Sequence, residues 1–303
     1  MEVIPPDEPV PIRLRFAHTT SYRYSGPVTF RKHRLVLRPR ESHFEQLESM
    51  QIETQPPAKL QWFQDVFGNV IANARFDRPA DQLVIRSEFV IAKKSAPGWS
   101  RSDSERGERF PVFYAGIEET ATQVYRQSVY PPEVEKIRQW VNGMNLLPPL
   151  GQRGHIFTRL AEVIHQTIAY QRREVAGVQS PLETLRLTTG SCRDTAVLMM
   201  EAGRALGFAT RFVSGYLESD NSKVGRGSTH AWTEIYFPDR GWVGYDPSIG
   251  QPVGSGHVAV AVSHHPRGVM PISGSFDTHG HTAQPMQVAI ESERLGLVNQ
   301  QGG

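Results

Sequence analysis

The sequence of 303 residues contains a single cysteine, Cys192. One cysteine cannot form a disulfide bond within the chain, and it cannot build a zinc site from several thiolates. A lone thiol stays reduced in a reducing compartment, so the simplest expectation is a cytoplasmic protein. Two interpretations of Cys192 remain, a small buried side chain or a reactive nucleophile.

The sequence also lacks an excess of charge of one sign and a long apolar run. It has 33 Lys and Arg against 31 Asp and Glu, without a long run of either sign. A basic cluster is the usual mark of a nucleic-acid surface, so no nucleic-acid partner is expected. No segment approaches the ~18 consecutive apolar residues of a membrane span, and residues 1–10 lack the pattern of a secretory signal. We therefore expect no membrane partner either.

Motifs for phosphate and metal binding are scarce. There is no Walker-type phosphate loop and no calcium loop with alternating acidic residues. Residues 264–281 contain His264, His265, His279 and His281 together with Asp277, which are side chains that zinc can bind. Their spacing matches no strong zinc template, so we predict no metal and no cofactor, and the role of this segment stays open.

The N-terminal third of the sequence has the two-residue alternation of half-buried strands. Ile12, Leu14 and Phe16 alternate with arginines, and this pattern continues to about residue 95. Gly68 and Asn69 lie between two such runs and predict a hairpin. We therefore predict an antiparallel β-domain over residues 11–95, built as a small sandwich and preceded by a disordered segment, residues 1–10.

A second region follows after a predicted linker, residues 96–114. Helical spacing predicts helices over residues 131–143 and 155–170, and a third that begins near Cys192 and ends before Gly207. Strands are predicted over residues 211–217, 230–237, 242–245 and 258–262. We therefore predict an α+β fold with a catalytic core over residues 115–290, including C-terminal strands, and disorder over residues 291–303.

The predicted position of Cys192, at a helix N-terminus, suits a nucleophile. Unpaired backbone N–H groups and the helix dipole there favour the negative charge of a thiolate. The same N–H groups can donate hydrogen bonds to the oxyanion of an acyl-transfer transition state. Gly190 and Ser191 just before it allow a tight approach of the backbone to a substrate.

His230 and Asp246 supply the other two parts of a nucleophilic catalyst. His230 opens one predicted strand and Asp246 closes the next. The two side chains share a face only if the strands pair with Phe237 opposite Gly241 or in an equivalent odd-loop register. Taken singly, His230 could be structural and Asp246 a turn residue; the three residues together favour catalysis.

Four blocks of the sequence resemble the bacterial transglutaminase-like superfamily. They occur in the expected order at residues 190–196, 204–216, 230–236 and 241–248, and residues 14–24 and 65–69 resemble the β-rich N-terminal region often fused to that core. The resemblance implies a papain-like fold with Cys192 as nucleophile, His230 as general base and acid, and Asp246 as orienting group. Similar proteins continue with a Gly-Arg-Asp-Tyr-like segment, whereas residues 263–268 here are Ser-His-His-Pro-Arg-Gly.

The expected activity is attack by a thiol on a peptide or amide bond through a thioester. Hydrolysis, by a protease or amidase acting on a peptide or protein, is slightly preferred because water is always at hand. The alternatives are a protein-glutamine transglutaminase and a non-catalytic binding module. Tyr170, Gln171 and Trp232 are candidates for substrate or oxyanion binding, although Trp232 also fits a role in packing the sheet. The sequence predicts no oligomeric state.

Overall fold

The computed structural model describes residues 12–94, 108–149, 153–173, 177–218 and 229–295. The strands are β1 (Ile12–Phe30), β2 (His33–Leu35), β3 (Glu45–Gln55), β4 (Ala58–Gln64), β5 (Val70–Phe76), β6 (Ala80–Lys93), β7 (Glu108–Arg109), β8 (Arg153–Gly154), β9 (Ala169–Tyr170), β10 (Thr189–Gly190), β11 (Thr210–Leu217), β12 (His230–Phe237), β13 (Gly241–Asp246), β14 (Gln251–Pro252), β15 (His257–Ser263), β16 (Ile272–Ser273), β17 (Phe276–Asp277) and β18 (Gln287–Leu295). The α-helices are α1 (Ile117–Ala121), α2 (Gln123–Arg126), α3 (Val134–Gly143), α4 (Ile156–Thr167), α5 (Pro181–Leu187) and α6 (Cys192–Ala205).

The N-terminal part is the antiparallel β-structure that the alternating pattern predicts. One sheet places β6 between β1 and β3, and a second has the order β16, β2, β5, β4. Apolar side chains from both sheets meet in one cluster, which includes Tyr24, Phe30, Leu35 and Leu83. The predicted hairpin is present as β4 and β5, but its loop spans residues 65–69 because Gln64 pairs with Val70. The predicted turn is therefore longer than a two-residue connection.

The C-terminal strands return to the N-terminal sheets. β16 pairs with β2, and β17 and β18 pair with β1, the latter from Arg13–Leu295 to Ser21–Gln287. The sequence predicts that this part of the chain belongs to the catalytic core and that the ordered chain ends at residue 290. Both expectations are wrong, because β18 continues to Leu295 and completes an edge of the first sheet. The predicted disorder of residues 1–10 and 296–303 lies outside the described residues.

Part of the predicted linker packs against the core. Residues 95–107 lie outside the described residues, but Glu108 is buried. Its carboxylate accepts hydrogen bonds from the Ile156 N–H at 2.7 Å and from the Tyr245 hydroxyl at 3.0 Å. Tyr114 accepts from the Ala209 N–H at 2.8 Å. The prediction of a linker over residues 96–114 is therefore wrong for its second half.

The core is an antiparallel sheet of order β14, β13, β12, β11, β15 with helices packed against it. The Thr233 hydroxyl on β12 donates to the Ala196 carbonyl on α6 at 2.7 Å, which fixes the central helix against the sheet. The predicted helices correspond to α3, α4 and α6, so the α+β class is confirmed. Among the described residues, none of these helices is long and apolar enough to cross a membrane.

The N-terminal sandwich and the core sheet share a hydrophobic interior. Phe16 of β1 stacks on Tyr216 of β11 with ring centroids 5.2 Å apart. Asn69, predicted only as a turn residue, bonds to strand β15 through both ends of its amide. It donates to the Val262 carbonyl at 2.8 Å and accepts from the Val262 N–H at 2.9 Å. The N-terminal part thus holds the outer edge of β15, where the core sheet would otherwise have unpaired backbone groups.

Candidate active site

Cys192 is the first residue of α6, and a buried carboxylate fixes the chain just before it. Oδ2 of Asp194 accepts hydrogen bonds from the N–H and the hydroxyl of Ser191, at 2.8 and 2.7 Å. Oδ1 accepts from the Gln179 N–H and from Nη1 of Arg173, both at 2.7 Å. An acidic side chain that reaches back to the N-cap satisfies orphan donors of the first turn. Asp194 therefore links the backbone just before Cys192 to Arg173 and to Gln179.

Two of the predicted substrate-binding residues lie beside this helix start. The short parallel pair of β9 and β10 places Tyr170 next to Gly190, and the Gln171 N–H donates to the Gly190 carbonyl at 2.8 Å. Tyr170 is half-buried against the apolar cluster that contains Cys192, and Gln171 is exposed. The structure brings both residues close to Cys192 in the fold, and their roles stay predictions.

Strands β12 and β13 have the register that the catalytic hypothesis requires. Phe237 pairs with Gly241 and Tyr236 with Trp242, so the connection is a three-residue loop. Gly241 has φ of 72°, the left-handed conformation that closes such a loop with a bulge. With this odd register His230 and Asp246 meet, and Nε2 of His230 lies 2.6 Å from Oδ2 of Asp246. The register prediction is confirmed.

The Asp246 carboxylate is fully buried and saturated with donors. Oδ1 accepts from the N–H and the hydroxyl of Ser248, at 2.9 and 2.6 Å. Oδ2 accepts from His230 and also from Nε2 of a second histidine, His257, at 3.0 Å. A buried carboxylate needs such compensation, because an unpaired charge in the interior is very costly.

The charges of the pair hold each other in the ionised state. Burial alone would lower the pKa of His230, but the Asp246 carboxylate and the nearby Cys192 thiol raise it above its ordinary value. Burial alone would raise the pKa of Asp246, but the charge and hydrogen bond of His230 and the hydrogen bond of His257 hold it well below its usual range. Nδ1 of His230 is buried and makes no hydrogen bond with any described residue. Nδ1 is therefore the ring nitrogen of His230 that Asp246 does not engage.

His257 is the member of this group that the sequence analysis missed. It opens β15, as His230 opens β12, but this position alone does not indicate that the ring reaches Asp246. His230, Asp246 and His257 each offer one ligand atom within 4.8 Å of the others, which would suit a metal ion. Oδ2 of Asp246, however, lies at hydrogen-bond distance from both rings. The three side chains are therefore engaged with one another.

Trp232 lies in the interior. Its side chain is 1% exposed and packs in a small cluster with Val213 and Val262. Its ring meets the His257 ring edge-on with centroids 5.2 Å apart. This position agrees with the packing role that the sequence analysis kept as an alternative, and a part in substrate binding stays a prediction.

Comparison with known families agrees with this architecture. Residues 14–92 match the bacterial transglutaminase-like N-terminal region, and residues 150–247 match the core of the transglutaminase-like superfamily. The chain belongs to the transglutaminase-like superfamily. Both matches fall on the regions that carry the sandwich and the Cys192, His230 and Asp246 positions.

Three similar proteins align with most of the chain. An uncharacterized protein of Mycobacterium tuberculosis is 27% identical over 285 residues, covering 89% of this chain and 90% of its own length. One of Mycobacterium leprae is 24% identical over 288 residues, covering 93% and 99%. A crystal structure from Cytophaga hutchinsonii, provisionally described as a cysteine protease, superposes with a TM-score of 0.72 at 15% identity, covering 94% of this chain and 91% of that one. This likeness shows that the two proteins share the fold.

Proposed function

We propose that this protein is a thiol-dependent hydrolase or acyl transferase that acts on peptide or amide bonds through a thioester. Cys192 is the nucleophile, His230 the general acid and base, and Asp246 the group that orients His230. The observation that carries the proposal is the buried ion pair of His230 and Asp246 at 2.6 Å, with the remaining ring nitrogen unbonded near the chain's one thiol.

Acylation begins from a thiolate and an imidazolium. The raised pKa of His230 keeps its ring protonated at neutral pH, and the proton on Nδ1 comes from the thiol. The Cys192 sulfur attacks the carbonyl carbon and forms a tetrahedral oxyanion. His230 then gives its Nδ1 proton to the leaving nitrogen, the carbon–nitrogen bond breaks, and an amine or ammonia departs. A thioester on Cys192 remains.

The start of α6 supports the oxyanion. The first backbone N–H groups of a helix have no partner within the helix, and the dipole adds positive potential there. Donors that are held in place before the reaction stabilise the transition state without reorganisation. The hydrogen bonds of Asp194 with Ser191 and Gln179 hold the start of α6 in place in this way. Tyr170 and Gln171 are the candidate side-chain donors because they lie beside Gly190.

Deacylation returns the enzyme to its resting state. Neutral His230 takes a proton from the incoming water or amine, which attacks the thioester carbonyl, and the thiolate leaves. Water gives a free acid, so the protein would be a protease or amidase; a primary amine gives a transglutaminase product. Hydrolysis is the preferred outcome, with a peptide or protein as substrate and the cytoplasm as the place of action.

Alkylation of Cys192 by iodoacetamide across pH tests the proposal. A free thiol with the usual pKa of about 8.5 is under ~1% ionised at pH 6. We therefore expect Cys192 to react about 10- to 100-fold faster than a free thiol at pH 6. His230→Ala should abolish this excess. His33→Gln is the matched control, since His33 is also buried and hydrogen-bonded but lies in the sandwich.

A rate equal to that of a free thiol, unaffected by His230→Ala, would favour the non-catalytic binding module. The two reaction types are separated by a glutamine peptide offered with a labelled primary amine. Incorporation of the label indicates transamidation, and release of ammonia or of a peptide fragment alone indicates hydrolysis.

A further inference from the structure

One oxygen atom of Asp246 accepts hydrogen bonds from two histidines. Oδ2 lies 2.6 Å from Nε2 of His230 and 3.0 Å from Nε2 of His257. The three residues come from three strands, β12, β13 and β15, and all are buried. The proposed reaction uses His230 and Asp246 but assigns no part to His257.

The hydrogen bonds of His257 define its tautomer. Its Nδ1 accepts a hydrogen bond from the Gly254 N–H at 3.1 Å, so this nitrogen carries no proton. Nε2 must then be the protonated nitrogen, and it donates to Asp246. Burial lowers the pKa of His257, although the hydrogen bond to Asp246 opposes the shift. His257 is therefore a neutral ring with one N–H directed at the carboxylate.

The surroundings of His257 favour this neutral form. The charged groups that face it are His230 on β12, Asp246 on β13 and Lys93 on β6, and the cationic forms of His230 and Lys93 both oppose a second positive charge on its ring. The Lys93 ammonium donates to the backbone carbonyl of His257 and pairs with Glu45 at 2.8 Å. The N-terminal sandwich thus fixes the main chain at His257, and the Trp232 ring packs against its side chain.

We propose that His257 is a positioning residue that acts on His230 through Asp246. This inference rests on the proposed function. With Ser248 on Oδ1 and two histidines on Oδ2, the carboxylate cannot rotate. The His257 N–H also takes up part of the negative charge of Oδ2. Asp246 then attracts the His230 proton less strongly, and the imidazolium remains an acid strong enough to protonate the leaving nitrogen.

Two substitutions of His257 separate this role from packing. His257→Gln keeps an N–H donor near the position of Nε2, and His257→Phe keeps a ring against Trp232 but removes the donor. We expect kcat/KM to fall about 10²-fold in His257→Phe, since small losses of alignment have effects of this size. We expect a much smaller loss in His257→Gln, at similar melting temperatures of the two variants.

The alkaline limit of the pH profile of kcat/KM, where His230 loses the proton that the leaving nitrogen needs, gives a readout that packing alone would not move. In His257→Phe the charge of Asp246 is no longer shared, so His230 holds its proton more strongly and the alkaline limit of the profile moves to higher pH. His257→Gln should restore the wild-type limit. An unchanged limit in His257→Phe, or a shift to lower pH, would overturn the proposal.

Nitrogen-15 NMR of histidine-labelled wild-type protein tests the same point without a variant. The His257 ring must be neutral with its proton on Nε2, and a proton on Nδ1 would overturn the inference even if His257→Phe does not fold. The proposed function fails separately, if wild-type Cys192 shows no enhanced alkylation. A reactive wild-type Cys192 with an unchanged His257→Phe profile would reject the role of His257 alone.

Discussion

Two buried aspartates, Asp194 and Asp246, have nearly the same hydrogen-bond arrangement at opposite sides of the candidate site. In each, one carboxylate oxygen accepts from the N–H and the hydroxyl of a serine close in sequence, Ser191 or Ser248. The other oxygen accepts from two donors that lie 11 to 21 residues away in the sequence. The difference lies in those two donors.

The donors to Asp194 do not change their protonation near neutral pH. They are the Arg173 guanidinium and the Gln179 backbone N–H, and neither can exchange a proton with a substrate. The hydrogen bonds of Asp194 therefore hold in place the segment that carries Cys192.

The donors to Asp246 are the two imidazoles of His230 and His257, a side-chain type that can both gain and lose a proton. The same four-donor geometry therefore fixes the backbone in one place and, under the proposed function, orients a protonated histidine in the other. Burial and the number of donors are the same for Asp194 and Asp246. The role of each carboxylate therefore depends on the chemistry of its hydrogen-bond partners.

Replacing each aspartate by asparagine should separate the two roles most strongly. In Asp246→Asn the amide group would face an imidazole N–H, which favours the wrong tautomer of His230, and we expect kcat/KM to fall about 10²- to 10⁴-fold. In Asp194→Asn the amide would oppose the donors Arg173 and Gln179. We expect the free energy of unfolding to fall by roughly 3 kcal/mol, at the low end for a broken buried pair because Arg173 is partly exposed.

Steady-state kinetics and denaturant unfolding of both variants make this measurement. The proposed difference between the two aspartates would be wrong if Asp194→Asn, at a temperature where it is folded, lost as much activity as Asp246→Asn. That difference would also be wrong if Asp246→Asn lost activity only because it unfolds.

The pH dependence should differ in the same way. The Asp246 charge helps to raise the pKa of His230 against the effect of burial, so removing it lets that pKa fall. The ion pair with Cys192 requires protonated His230, and its contribution is lost as pH rises through the pKa of the folded protein. We therefore expect the alkaline limit of kcat/KM, which requires protonated His230, to move to lower pH in Asp246→Asn and to stay in place in Asp194→Asn. A shift in both variants would mean that the two carboxylates are not independent.

The serine hydroxyls should give the smallest effects. Ser191→Ala and Ser248→Ala each remove one donor from a buried carboxylate oxygen that keeps its backbone donor. We expect each to lower the free energy of unfolding by about 1 to 2 kcal/mol. Ser248→Ala should also reduce kcat/KM a few-fold at unchanged KM, and Ser191→Ala should leave kcat/KM unchanged. Equal losses of kcat/KM in the two variants would contradict this difference, and an unchanged kcat/KM in both would mean that the hydroxyls matter only for stability.

The local features of the site could be predicted from the sequence. The helix start at Cys192 and the register between β12 and β13 depend on neighbouring residues, on helix capping and on the odd loop before Gly241. The meeting of His230 and Asp246 follows from that register. Their catalytic roles stay predictions.

Helix α5 was also predictable but was missed. Ser180 is its N-cap, accepting from the Glu183 N–H at 3.3 Å, and Pro181 occupies the first turn. Serine, proline and then glutamate form a recognised helix-start pattern.

The long-range features could not be predicted in the same way. His257 reaches Asp246 only because β15 joins the far edge of β11, and the length of chain between them gives no sign of this. The pairing of β18 with β1 joins residues at opposite ends of the described chain. A single sequence carries no signal for such contacts, because the alternating pattern of a strand does not indicate which other strand it pairs with.

The pairing of β18 with β1 makes the transglutaminase-like core an insertion between two parts of one sheet. During synthesis, the backbone edge of β1 stays without its partner until the last strand has left the ribosome. An unpaired edge of this length is a template for association with other chains. A chain shortened before residue 287 would retain every candidate catalytic residue, and we expect its principal defect to be aggregation.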